Sequence, residues 1–229
     1  MGQFIHLTAK DGFAFAAYVA EPAGQPKGAV VIVQEIFGVN AHIREVADGY
    51  AAQDYLAIAP AAFHRVKPGV ELNYDEQGRK DGFALKLQVD ELPAPGVMQD
   101  LQAAIDYAAQ AGKVGIVGYC WGGLLSWRAA CTLSGLSAAV AYYGGGMTAG
   151  GDAARQPRVP VLAHFSDRDQ WIPLDTVETF RKAHPEVEVH LYEADHGFNC
   201  DHRSAYDAAA AKLARERALA FFEKQLRGN

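Results

Sequence analysis

At 229 residues, half of them hydrophobic and 21% charged, the chain is long enough to bury the core of one large domain and too apolar for a disordered or fibrous protein. Its 21 Lys and Arg stand against 27 Asp and Glu, a net charge of −6, which argues against a partner built of nucleic-acid phosphates. No apolar run approaches the roughly 18 residues of a membrane helix, the start has no basic and apolar leader, and three cysteines without CxxC spacing fit a reducing cytoplasm.

Apolar β-rich runs alternate with helical periodicity along the chain, which predicts an α/β fold with one mostly parallel central sheet and helices on both faces. Residues 4–9 and 13–20 flank an Asp11-Gly12 turn signal and are expected to pair as an edge hairpin. Residues 28–34 form a nearly continuous apolar run, as expected of a strand buried on both faces. From His64 to Pro95 the chain is polar and charge-rich, and reads as a long excursion over the top of the sheet, of the kind that is functional or flexible. Val97, Leu101, Ala104, Ile105 and Ala108 recur at helical spacing, with Asp100, Gln102 and Asp106 on the other face. The buried-strand pattern returns at 114–119, 138–143, 159–165 and 187–192, and Tyr206, Ala210, Leu213, Ala214, Phe221 and Phe222 mark a closing amphipathic helix. No repeat or low-complexity linker interrupts this order, so residues 1–229 are expected to form a single domain.

The most informative stretch is Val114-Gly115-Ile116-Val117-Gly118-Tyr119-Cys120-Trp121-Gly122-Gly123, a buried strand entering a helix through Gly-x-Cys-x-Gly-Gly. This is the spacing of a nucleophile elbow with Cys in place of Ser. So tight a turn leaves no room for side chains two residues before and two after the nucleophile. It also presents the thiol at a helix N-terminus, where the dipole favours a thiolate. The plainer alternative is a buried structural cysteine in a glycine-rich turn.

Partners follow in the order nucleophile, acid, histidine. One predicted strand runs into Ser166-Asp167-Arg168-Asp169-Gln170-Trp171-Ile172-Pro173 and the next into Glu193-Ala194-Asp195-His196-Gly197-Phe198, loops where such sites are built. Of the two acids, Asp169 stands nearer the Ile-Pro helix entry and is the choice. A Cys thiolate attacks carbonyls, a His takes and returns the proton, and a carboxylate fixes its tautomer. Glu35 closes another apolar strand, where burial would raise its pKa unless a partner pairs with it. The next residue, Ile36, supplies a backbone N–H that could join that of Trp121 as an oxyanion hole. His196, Cys200, Asp201 and His202 offer metal-ligand atoms, but on one short loop a tetrahedral arrangement is hard to form, and no metal is expected.

Gln34-Glu35-Ile36-Phe37-Gly38-Val39-Asn40, Gly118-Tyr119-Cys120-Trp121-Gly122-Gly123, Tyr142-Tyr143-Gly144, Asp169-Gln170-Trp171-Ile172-Pro173 and His196-Gly197-Phe198 together resemble the dienelactone hydrolase (carboxymethylenebutenolidase) family of α/β-hydrolases. The likeness extends over nearly the whole chain. It implies that Cys120 is the nucleophile, His196 the base and Asp169 its orienter, and that Glu35 meets the resting thiol and helps to deprotonate it when substrate arrives. It also implies a carboxylic ester hydrolase that opens unsaturated lactones such as dienelactone to maleylacetate, with no metal or organic cofactor, in a monomer or small homo-oligomer without membrane or nucleic-acid partners. The family's substrates carry a carboxylate held by arginines, and Arg79 matches one of these. Phe83 keeps one family aromatic and Lys86 replaces another; Phe37 and Tyr143 complete the expected substrate contacts. Cys200 stands where the family has its second arginine, with Arg203 three residues beyond, and Gly197 stands for a family Ser. These departures leave a related cysteine esterase, acting on another small ester or lactone, as the alternative.

Overall fold

The computed structural model describes residues 2–227; Met1, Gly228 and Asn229, at the ends of the expected domain, lie outside the described residues. The edge hairpin is present: β1 (Gln3–Thr8) and β2 (Ala14–Ala20) pair antiparallel in a register that sets Gln3 opposite Val19 and Thr8 opposite Ala14. In the turn, the Asp11 carboxylate accepts the Phe13 N–H at 3.1 Å, a local bond that favours chain reversal. Beyond the hairpin come β3 (Ala29–Val33), β4 (Leu56–Pro60), β5 (Val114–Tyr119), β6 (Leu136–Tyr142), β7 (Val161–Ser166) and β8 (Glu188–Tyr192). The sheet runs β1-β2-β4-β3-β5-β6-β7-β8, and every pair from β4 to β8 is parallel. All residues of β3, β4, β5 and β7 are buried, which is why these segments read as continuous apolar runs without alternation.

The described residues include seven α-helices: α1 (Ala41–Ala51), α2 (Glu76–Asp90), α3 (Met98–Ala108), α4 (Trp121–Thr132), the single turn α5 (Gly150–Ala153), α6 (Leu174–Ala183) and α7 (Ala208–Leu226). Among the described residues, no helix is long and apolar enough to cross a membrane.

Three local expectations are corrected. The excursion over 64–95 contains the four-turn helix α2, capped by Asp75, whose side chain accepts the Gly78 N–H at 2.7 Å. Its apolar signal is weak because two of its four buried residues, Gly78 and Gly82, are glycines, poor helix formers chosen for contact. A Cβ on Gly82 would lie 2.0 Å from the Ile36 carbonyl oxygen, so the missing side chain lets α2 lie on the loop after β3. Asp100, assigned to the polar face of α3, is instead buried and grips Arg65 through two bonds of 2.8 and 2.6 Å. An acid can enter the core on such terms. The last helix begins after Tyr206, and both Tyr206 and Leu213 are exposed. The buried stripe is Ala210, Ala214, Ala218, Phe222 and Leu226, small residues followed by two large ones.

Candidate active site

Each candidate residue sits just beyond the C-terminal end of a strand: Glu35 after β3, Cys120 after β5, Asp169 after β7 and His196 after β8. Parallel strands with helical returns place these loops together at one edge of the sheet.

Cys120 occupies the turn between β5 and α4 with φ 55° and ψ −120°, a conformation that is costly for any residue with a Cβ. The surrounding packing holds it there. A Cβ on Gly118 would lie 1.9 Å from the Gly122 carbonyl oxygen, and one on Gly122 would lie 2.3 Å from that of Val33. The elbow spacing in the sequence is therefore the record of two backbone approaches. The Cys120 N–H is satisfied by the Tyr142 carbonyl at 3.0 Å, and the side chain stays half-buried, facing the cleft.

His196 and Asp169 are both buried, with Nδ1 of the ring 2.6 Å from Asp169 Oδ2. The other carboxylate oxygen accepts the N–H groups of Trp171 and Ile172 at 2.8 and 3.2 Å. Backbone donors thus fix the acid before it fixes the imidazole. Asp167 is exposed and takes no part. Burial opposes a charge on His196, but the negative charges that Cys120 and Asp169 can carry, together with their hydrogen bonds to the ring, push its pKa up to about 10. With Nδ1 committed to Asp169, Nε2 is the nitrogen left for the thiol.

Glu35 is fully buried, and its partner is Arg203: Oε1 accepts from Nη1 at 3.0 Å, across 168 residues of sequence. The resemblance implies contact with the resting thiol, whereas here the carboxylate is drawn to a guanidinium. Its second oxygen, Oε2, is buried without a partner. Arg203 stacks near the rings of Phe37 and Tyr74, 5.7 and 5.8 Å from their centroids. It occupies space that the glycine beside His196 leaves open, since a Cβ on Gly197 would lie 2.4 Å from Arg203 Nη1. A side chain at 197, such as the family Ser, would require the Arg203 guanidinium to move from this position. Cys200, at the family arginine position, is buried, and burial pushes its thiol up to about 12.

These groups open on one cleft of about 240 Å³, whose lining includes Ile36, Phe37, Arg79, Phe83, Lys86, Cys120, Trp121, Trp171, His196 and Arg203. Arg79, Phe83 and Lys86 all come from α2, so the helix hidden in the polar stretch forms one wall. The backbone N–H groups of Ile36 and Trp121 have no hydrogen-bond partner among the described residues. Tyr143 departs from its expected place. It is wholly buried behind the imidazole, with ring centroids 5.0 Å apart, and supports His196 instead of lining the cleft. Trp171 is the contributor that periodicity does not reveal, for it is 58% exposed and reaches the cleft because the Asp169 carboxylate anchors its backbone.

Comparison with known proteins agrees with this architecture. The dienelactone hydrolase family matches residues 15–226. The chain is 38% identical over 226 residues to the carboxymethylenebutenolidase of Pseudomonas putida, covering 95% of this chain and 94% of the other, and equally so to that of Pseudomonas knackmussii. A Klebsiella pneumoniae crystal structure named "Putative Dienelactone Hydrolase" superposes with a TM-score of 0.84 at 33% identity, over 98% of both chains.

Proposed function

The chain belongs to the dienelactone hydrolase family and hydrolyses ester or lactone bonds; from that premise we propose that it opens small, carboxylate-bearing unsaturated lactones by covalent catalysis from Cys120. Dienelactone, opened to maleylacetate, is the model substrate. The observation that supports this reading is the Asp169–His196 pair, 2.6 Å apart, whose imidazole lines the same cleft as Cys120, with the cysteine held in a strained turn.

The substrate carboxylate enters between Arg79 and Arg203, and the apolar ring lies against Phe37, Phe83 and Trp171. Arg203 is already oriented by Glu35, which neutralises it in the buried site until an anionic substrate shares it. The lactone carbonyl oxygen points at the N–H groups of Ile36 and Trp121. Cys120 Sγ bonds to the carbonyl carbon as a thiolate whose proton already rests on His196 Nε2, and charge develops on an oxygen that meets two unused donors. Collapse of this intermediate breaks the ring C–O bond and expels an enolate, a good leaving group that suits a thiolate nucleophile; the enolate takes the proton from His196 Nε2, which leaves the imidazole neutral. Water then gives a proton to neutral His196 Nε2 as its oxygen bonds to the thioester carbonyl carbon, and the C–S bond breaks, which releases the acid and returns the thiolate beside protonated His196.

Cys200 and Lys86 at two family positions favour a second reading of the same machinery, a cysteine esterase for another small ester or lactone. Turnover of dienelactone and of a p-nitrophenyl ester by wild type and Cys120→Ala tests both. Loss of all turnover in the variant is expected, and retention of most activity would overturn covalent catalysis. Turnover of the simple ester alone would select the second reading.

A further inference from the structure

The loop carrying His196 also carries Asp201 and His202, which meet α1 on the side away from the cleft. His42 and Glu45 lie three residues apart on α1 and therefore share a face. Asp201 Oδ1 is 3.2 Å from His42 Nδ1, and His202 Nε2 is 2.8 Å from Glu45 Oε2 and 3.9 Å from Asp201 Oδ1. One ligand atom from each of the four residues lies within 4.8 Å of all the others. A tetrahedral ion bound at 2.0–2.1 Å needs neighbouring ligand atoms about 3.3 Å apart, so small side-chain movements close the shell. Glu45 and Asp201 are exposed and His202 is partly so, and shallow depressions on both sides leave the position open to solvent.

We propose that His42, Glu45, Asp201 and His202 form a site for one divalent transition-metal ion of the Zn²⁺, Co²⁺ or Ni²⁺ class. Two imidazoles with two carboxylates suit these ions and not Ca²⁺ or Mg²⁺, which prefer all-oxygen shells. The sequence conceals the site because half of its ligands are far away on α1, and Cys200 and His196, the other metal-ligating residues of that loop, face inward. His42 is prepared for the role. The residue is 4% exposed, so the ring is held in place with Nδ1 directed at Asp201. Ligation through Nδ1 leaves the proton on Nε2, a buried atom without a partner. The bound ion would staple residues 201–202 to α1 and so hold Arg203, the next residue, against Glu35.

Tag-free protein stripped with chelator and titrated with CoCl₂, followed by visible d–d absorption, reads the site directly. One ion per chain is expected, and His202→Ala and Asp201→Asn should each weaken binding at least about tenfold, while Cys120→Ser binds as wild type does. Both substituted ligands are exposed or partly so, and circular dichroism establishes that the variants are folded. ZnCl₂ should raise the Tm of wild type by a few degrees and leave that of His202→Ala unmoved. Absence of saturable binding, undiminished binding by His202→Ala, or loss of binding in Cys120→Ser would each overturn the proposal, whatever the outcome for ester hydrolysis.

Discussion

Asp169→Asn separates positioning of the imidazole from every other property of the site. Asp169 Oδ1 accepts the Trp171 and Ile172 N–H groups at 2.8 and 3.2 Å, while Oδ2 accepts from His196 Nδ1 at 2.6 Å. The carboxamide oxygen of Asn can keep both backbone bonds, and this turns the NH₂ toward His196. Nδ1 must then accept, so the proton moves to Nε2, the nitrogen required to take the thiol proton. Loss of the acid's charge also removes one of the attractions that raise the His196 pKa. A wrong tautomer in a catalytic triad costs about 10⁴ in kcat. Because a thiol needs less help from a base than a hydroxyl does, a fall in kcat/KM of about 10³- to 10⁴-fold is expected here, about 4–5.5 kcal/mol of transition-state stabilisation. The assay is ring opening followed by absorbance, with Tm measured in parallel and exposed Asp167→Asn as the control that should match wild type. An Asp169→Asn enzyme with unchanged Tm and activity within tenfold of wild type would refute the assignment.

The raised His196 pKa also predicts how stability depends on pH. A histidine whose folded value lies above its ordinary 6.5 contributes stability that is fully present below 6.5 and is lost as pH rises through about 10. Urea unfolding of wild type and His196→Gln across this range should therefore show a difference that shrinks with rising pH, and a constant difference would count against the charged ring. Arg203→Met should raise KM for an anionic lactone at least about tenfold and destabilise the fold by about 3 kcal/mol by stranding buried Glu35. Adding Glu35→Gln should recover much of that stability in a double-mutant cycle, and additive losses would show that the pair is not coupled. Gly118→Ala places a Cβ 1.9 Å from a backbone oxygen and should cost more than about 4 kcal/mol; a soluble variant with wild-type Tm would contradict the elbow geometry.

What the sequence determined by itself was whatever depends on neighbours in the chain. Buried parallel strands lie between layers of helices, so β3, β5 and β7 announce themselves as apolar runs. The elbow announces itself because Gly118 and Gly122 must lack side chains within four residues of each other, and Asp169 and His196 because each follows a strand. Short-range signals failed where a residue's neighbours come from elsewhere. Helix α2 reads as a polar excursion because half of its buried residues are glycines, one of which, Gly82, touches the Ile36 loop. Asp100 reads as a surface residue because its partner, Arg65, is 35 positions away. Only the folded chain decides that Glu35 meets Arg203, that Gly197 makes room for that guanidinium, that Tyr143 stands behind the imidazole, and that His42 and Glu45 face Asp201 and His202. A side chain's charge and shape are written in the sequence, but the field it experiences is set by groups that the sheet's crossovers bring alongside it.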